Sequence, residues 1–305
     1  MKNFLIILSS IFLISCSSSK QYYEPSNTQS LSTTNVKDSN LLAKYKDYEI
    51  INEQDNLIFI SSPLGFLKIL KDSEVIFDKK FDAKIVSINT QGNKAAMVDA
   101  LNNIIIFDLY NHEYILSQGY GKALGVIKKL PNPIFTDKII MIPTLDGKLV
   151  IMDNFSHEVI RSFNVGSSDF FNNILYLNAT SERLLAASSS KVITIDDNKS
   201  YIKMLNIKKV AEMNNFIYIL SSDGTIYKYD YRLNEIAKIK YKYANFNGAY
   251  AYNSFLYTIE YGGYLIKLDE NLNEVAVYEL SGKISDKAYF KDDILFYDGK
   301  SYKLQ

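Results

Sequence analysis

Four acidic pairs recur at one spacing. Asp108, Asp153, Asp230 and Asp269 are each followed five residues later by a glutamate: Glu113, Glu158, Glu235 and Glu274. Two carboxylates held close together could divide general-acid and general-base work, because each shifts the other's pKa. His112 and His157, the only histidines, precede two of these glutamates and would be the first candidates for a base or a metal ligand. A reacting centre is built once, however, and this pattern returns in repeat after repeat. Aspartate at the start of a turn accepts hydrogen bonds from the backbone N–H groups ahead of it, and glutamate then opens the next strand on its solvent side. Turn chemistry accounts for the spacing. The histidines are expected in loops of different repeats, no Gly-x-Ser-x-Gly occurs, and no triad can be assembled. No catalytic, cofactor-binding or metal-binding set is assigned.

Cys16 is the single cysteine of the 305 residues. Behind Lys2, an apolar stretch from Phe4 to Ile14 leads into Leu13-Ile14-Ser15-Cys16. A basic start, a short apolar run and small residues before a cut describe a secretory signal peptide, too short to span a membrane that needs roughly 20 apolar residues. The ending resembles the lipobox of bacterial lipoproteins. That resemblance implies cleavage after residue 15, lipid attachment at Cys16 and, with Ser17 rather than Asp next, the outer membrane. No disulfide can form in the remaining chain, so packing alone must hold the fold.

From Cys16 to about residue 40 the chain is polar and lacks apolar periodicity (Ser17-Ser18-Ser19-Lys20, Pro25-Ser26-Asn27-Thr28). It is expected to be a flexible linker that buries nothing. Residues 41–305 then form one block by composition. The whole chain carries 34 basic and 34 acidic residues, a balance that argues against nucleic acid as a partner.

The elements that would carry the recurring acids follow one grammar: a strand, a small polar turn, a second strand, an aspartate turn and a third strand. Ile139 to Asp153, Phe216 to Asp230 and Phe255 to Asp269 align on Asp146-Gly147, Asp223-Gly224 and Gly262-Gly263, with Asn102-Asn103 in the same slot of an earlier copy. Asp-Gly and Gly-Gly between alternating strands predict two-residue type I′ hairpins. Hairpins near 57–70, 94–108, 138–153, 184–196, 215–230, 254–269 and 292–304 are spaced by about 35–45 residues, the period of a propeller blade. The expected fold is all-β: a seven-bladed β-propeller of four-stranded antiparallel blades. The last copy stops after its hairpin, so an N-terminal strand, sought around residues 41–51, should complete that blade and close the ring.

Gly147 to Asp153, continuing from Glu158 to Phe163, resembles the repeat of quinoprotein-like (PQQ-repeat, BamB-like) propellers, which runs Asp-Gly-x-Leu-x-Ala-Leu-Asp, then Thr-Gly-Lys and a docking Trp. Asp223 to Asp230 and Gly263 to Asp269 fit the same template. The chain departs from it in having no Thr-Gly-Lys turn and no tryptophan. Quinoprotein enzymes of that family hold their cofactor on a Trp floor beneath a disulfide, so the resemblance implies binding rather than quinone catalysis. Ten of the 24 tyrosines crowd the segment from Tyr227 to Tyr264, either as interface residues or simply as strand formers. The expectation is a non-enzymatic, lipid-anchored outer-membrane lipoprotein facing the periplasm. It would scaffold an envelope protein partner, in the BamB-like reading within outer-membrane protein assembly. The alternative is an envelope ligand-binding or sensor propeller.

Overall fold

Strand sequences here depend on how many neighbours a strand has. The second and third strands of each repeat are flanked on both edges and covered on both faces, so they are nearly continuous apolar runs. Phe216–Ser221 is buried from its second residue onward. The fourth strand has one partner and alternates: in Glu235–Lys240, Ala237 and Ile239 pack on the core while Lys238 and Lys240 face solvent.

The computed structural model describes residues 21–34, 44–121, 130–166, 173–180, 182–197, 199–280, 288–297 and 300–304. They form seven antiparallel sheets in a ring, at 49–80, 85–119, 134–164, 176–204, 207–240, 246–279 and 289–303, here blades 1 to 7. The predicted seven-bladed propeller is the observed fold. Each predicted hairpin is the second and third strand of one blade.

The core lies between blades, not within them. Tyr218, Leu220 and Ile226 of blade 5 interlock with Leu256, Ile266 and Leu268 of blade 6, and Phe59, Leu67 and Ile69 of blade 1 with Ile85, Ile88 and Met97 of blade 2. Tyrosine and phenylalanine dock the blades in place of tryptophan: the Tyr218 hydroxyl donates to the Glu270 carbonyl of the next blade (2.8 Å). Around the axis, polar side chains of the inner strands cross from blade to blade. Asn52 Nδ2 donates to Ile88 O (2.9 Å), Asn89 Nδ2 to Pro133 O (2.8 Å) and Asn178 Nδ2 to Glu212 Oε1 (3.0 Å). Lys291 and Glu53 pair across the seam where the last blade meets the first.

An N-terminal strand does complete blade 7, but not from residues 41–51. Glu49–Gln54 is the inner strand of blade 1. The closing strand is Thr33–Thr34, antiparallel to Lys300–Lys303, with Thr34 Oγ1 and Ser301 Oγ 2.7 Å apart. The linker expected to bury nothing is, over residues 21–34, a strap on the outside of the ring. Tyr23 packs edge-on against Tyr241 and Tyr264, with centroids 5.6 and 5.8 Å away. Gln29–Ser30 adds a parallel fifth strand to blade 6, and Leu31 is buried between blades 6 and 7. Cys16 and the signal segment lie outside the described residues.

Antiparallel order puts the turns on two faces. The turns between strands one and two and between strands three and four share one face, which also carries the aspartates; we call it the capped face. The turns between strands two and three share the other with the links from blade to blade, the crossover face. Among the described residues, the turns on the crossover face are not type I′. Gly65, Asn102, Gly147, Gly224 and Gly263 each donate their N–H to the residue three earlier, and each alone adopts positive φ, between 66° and 101°. Each is a single-αL turn ending in a bulge. The type I′ geometry falls on Asp72-Ser73, Asn214-Asn215 and Asn253-Ser254, where both residues have positive φ. Gly224 is fixed by crowding as well: a Cβ there would lie 2.2 Å from Tyr241 O.

Candidate functional site

The four aspartates sit at the turn between third and fourth strands, and their oxygens are already occupied. Asp108 Oδ1 accepts from Tyr110 N (2.8 Å) and Asn111 N (2.9 Å), and Asp153 Oδ1 from Phe155 N and Ser156 N (both 2.8 Å). Asp230 Oδ1 accepts from Arg232 N and Asn234 N (both 2.9 Å), and Asp269 Oδ1 from Asn271 N and Asn273 N (both 2.8 Å). These hydrogen bonds, led by that of Asn111 N at Asp108 and Ser156 N at Asp153, hold both carboxyls below their usual pKa. The spacing is turn chemistry, as the sequence indicated. Glu113, Glu158, Glu235 and Glu274 follow as exposed residues at the outer strand, Glu158 one position ahead of it. His112 and His157 take the left-handed position of two of these turns, with φ of 58° and 60°. They belong to blades 2 and 3 and do not converge. Among the described residues no three His, Cys, Asp or Glu side chains are placed to hold a metal ion.

What those turns display is chemically uneven. Two residues beyond the aspartate stand Tyr110 in blade 2 and Phe155 in blade 3, exposed by 77% and 76%, where blades 5 and 6 carry Arg232 and Asn271. Both aromatic tips rest on locked turns. Asn154, beside Phe155, is 5% exposed and donates through Nδ2 to Gln91 Oε1 of blade 2 (2.8 Å) and to Thr136 O (3.1 Å). The turn of Tyr110 is held by Lys79 Nζ, which donates to His112 O (3.2 Å), and by the His112 ring stacked on Phe77 (5.2 Å). Large amphipathic groups on a rigid base lose little entropy on contact.

Farther round the same face, between blades 4 and 5, opens a polar cleft of about 230 Å³ lined by Arg183, Asp196, Asn215, Asp230, Tyr231 and Arg232. Arg183 organises it. Its Nε donates to Asp196 Oδ1 (2.9 Å), its Nη1 donates to Asn215 Oδ1 (3.0 Å), and its guanidinium lies 4.7 Å from the centre of the Tyr231 ring. The Tyr231 hydroxyl donates to Glu212. Burial, reinforced by that carboxylate, raises the Tyr231 pKa well above the ordinary 10.0, so the hydroxyl stays protonated. The cleft offers donors and acceptors in a fixed array, with Arg232 at its mouth. Sequence reading missed it because Arg183 and Tyr231 lie 48 positions apart and meet only through the packing of adjacent blades.

The tyrosine cluster divides by burial. Tyr229, Tyr241 and Tyr257 are core residues, whereas Tyr243 and Tyr261 are exposed by 41% and 51% on the crossover face. Most of the crowding is strand chemistry.

No family model matches the chain. Over 164 residues, 53% of the chain, it is 27% identical to the plasminogen-binding protein PgbB of one Helicobacter pylori strain. It is 26% identical over 157 residues to PgbB of a second strain. The matched regions are 30% and 29% of those proteins, so the chain spans under a third of the length of the curated relatives it matches. Among solved structures, BamB from Moraxella catarrhalis superposes with a TM-score of 0.71 at 14% identity, over 84% of each chain. The computationally designed Ika8 protein gives 0.66 at 12% identity, over 84% of each chain. The C-terminal WD40 domain of Sif2 gives 0.62 at 15%, covering 81% of this chain and 77% of that one. At such identities the likeness is one of architecture: the chain is a seven-bladed β-propeller with a BamB-like fold.

Proposed function

We propose that this chain is a non-enzymatic, lipid-anchored scaffold of the cell envelope that holds a protein partner on its capped face, in outer-membrane protein assembly. The observation that carries the reading is the matched pair Tyr110 and Phe155. Both are exposed by more than three quarters on turns that neighbouring blades hold rigid. Aromatic anchors on a preorganised base are what protein interfaces use at their centres. Two likenesses point the same way: the fold is that of BamB, and the matched relatives are named for binding a protein. The recurring carboxylates, the best candidates for chemistry, are engaged in capping. Lipid attachment at Cys16 and an outer-membrane address belong to the same proposal and rest on the lipobox sequence.

Photo-crosslinkers at positions 110 and 155 should capture an envelope protein in living cells, and deleting the gene should lower several β-barrel proteins. Normal barrel levels, with no protein captured at either position, would refute the scaffold. The cleft beside Arg183 favours a second reading, a ligand-sensing propeller. It expects unchanged barrel levels and a thermal shift with one small polar molecule, since a ligand of the folded state stabilises it by RT ln(1 + [L]/Kd).

A further inference from the structure

The crossover face carries exposed apolar tips that turn chemistry does not explain. In the third place of its turns, blades 3 and 5 have Asp146 and Asp223. Asp223 Oδ1 accepts the Thr225 N–H (3.0 Å), so an acid there stabilises the turn. Blades 1 and 2 have Leu64 and Leu101 in that place, exposed by 73% and 65%. In those two turns the cap comes from the first place instead, Ser62 Oγ accepting the Phe66 N–H (3.2 Å) and Asp99 Oδ1 the Asn103 N–H (2.8 Å), so the leucines have no part in the turn and stand in water. Tyr261, in the turn of blade 6, and Tyr243, on the link from blade 5, project from the same face and are exposed by 51% and 41%.

The strap ends on that face too. Tyr23 is seated on Tyr241, whose N–H donates to Gly224 O (2.9 Å) in the crossover turn of blade 5. Thr33 and Thr34 pair with Tyr302 and Ser301, at the crossover end of the third strand of blade 7. The first described residue, Gln21, follows Cys16 by five positions, and an extended chain of five residues spans at most about 18 Å. A free linker of the full 25 residues would have let the ring tumble. A strap docked from residue 21 leaves no such freedom.

We infer that the crossover face lies against the lipid surface, with Leu64, Leu101, Tyr243 and Tyr261 in the headgroup layer and the capped face turned away toward protein partners. The inference rests on the reading of Cys16 as the lipid-bearing residue. Tyrosine suits that depth, since its ring is apolar and its hydroxyl stays hydrated. Leucine tips at a boundary gain from even shallow burial, about 5–10 Å into the headgroup region. The occupant is lipid rather than protein because the anchor, at most about 18 Å from Gln21, brings it to the end of the strap that is seated at this face.

The test uses the lipidated chain reconstituted into protein-free vesicles whose headgroups carry a fluorescence quencher. With the Cys16 sulfur in a thioether, one introduced cysteine is the sole free thiol. A dye at Leu64→Cys or Tyr261→Cys should lose most of its emission, and the same dye at Tyr110→Cys or Phe155→Cys should keep it. All four positions are exposed, so folding is preserved, and circular dichroism of each variant checks it. Equal emission at both faces, or quenching at the capped face, overturns the orientation while leaving the anchor intact. Loss of emission at 64 and 261 only when envelope protein is added overturns lipid as the occupant. A mass spectrum showing no acyl chains on Cys16 overturns the anchor and the orientation together.

Discussion

Between blades 5 and 6, thirteen buried side chains from Ala211 to Val277 interlock, and Tyr23 of the strap packs over them. On the face of blade 1 that looks back toward blade 7, the described residues supply two buried side chains, Ile60 and Leu70. They are backed by the half-buried Tyr45, Tyr48, Ile50 and Ile58. The ion pair of Lys291 with Glu53 crosses that seam, but it is half-exposed and adds no more than about 1 kcal/mol. One junction is sealed by its own interior. The other is tied by the course of the chain: Thr33–Thr34, which precedes blade 1, pairs with the edge of blade 7, and Leu31 is buried between blades 6 and 7. A ring needs only one weak seam to open, so its stability is set less by the best-packed blades than by the strap.

The largest expected effect is removal of residues 21–34. That deletes two strand pairings and the buried Leu31, a loss on the order of 4–6 kcal/mol. Hydrogen exchange should show the amides of 289–303 opening ahead of the rest, whereas a chain beginning at Gln21 should behave as the parent. Unchanged exchange in the shorter chain would sink the comparison. Next come single cavities. Leu256→Ala, at the tight junction, should cost about 3–5 kcal/mol in a single cooperative denaturant transition. Ile60→Ala, at the loose seam, should cost about 2–3 kcal/mol, because that site can collapse. Equal costs would mean that the seams are alike. Glycine gives a smaller contrast. Gly224→Ala forces a Cβ to 2.2 Å from Tyr241 O and should cost about 3 kcal/mol. Gly92→Ala, at φ 60° with nothing within 4 Å, should cost about 1 kcal/mol. Thermal melts of the two variants distinguish crowding from conformation.

The smallest effect is on pH dependence. Burial alone would raise the pKa of Asp223. Hydrogen bonds from Thr225 and Lys240 outweigh it and bring the value from 3.8 to about 2. A lowered folded pKa stabilises above the unfolded value and loses that stabilisation as pH falls through the folded one. The stability gap between the native chain and Asp223→Asn should therefore be full above about pH 4 and close toward pH 2. A gap unchanged at pH 2 would show that the carboxylate is not the group responsible.

Much of the ring was legible in the sequence because second and third strands are buried on both faces and must be apolar, while aspartate turns repeat for one local reason. What escaped was set by distance. Thr33–Thr34 is a strand only because Ser301 and Tyr302 lie beside it, and two threonines in a polar stretch carry no periodicity. Turn type escaped as well. Asp146-Gly147 has the composition of a type I′ hairpin, yet the link to the next blade, with Val165 N donating to Gly147 O (2.9 Å), selects a turn with one left-handed residue. The exposed pair Tyr110 and Phe155 could have been found by aligning the repeats on the aspartate and asking which chain neighbours lack a reason to be apolar. The Arg183 cleft could not.

Thr34 and Ser301 touch although 267 positions separate them. Thr33–Thr34 precedes every blade in the chain and must wait for blade 7 before it can pair. Bringing two such distant points together costs on the order of 5 kcal/mol of loop entropy, which falls on the final folding step unless intervening blades are already stacked. Blades 1 to 6 contact mainly their sequence neighbours and can assemble in order, so closure should be slow while everything before it is fast. A circular permutant that places residues 21–34 directly after residue 304 would turn one of the longest-range contacts among the described residues into one of the shortest.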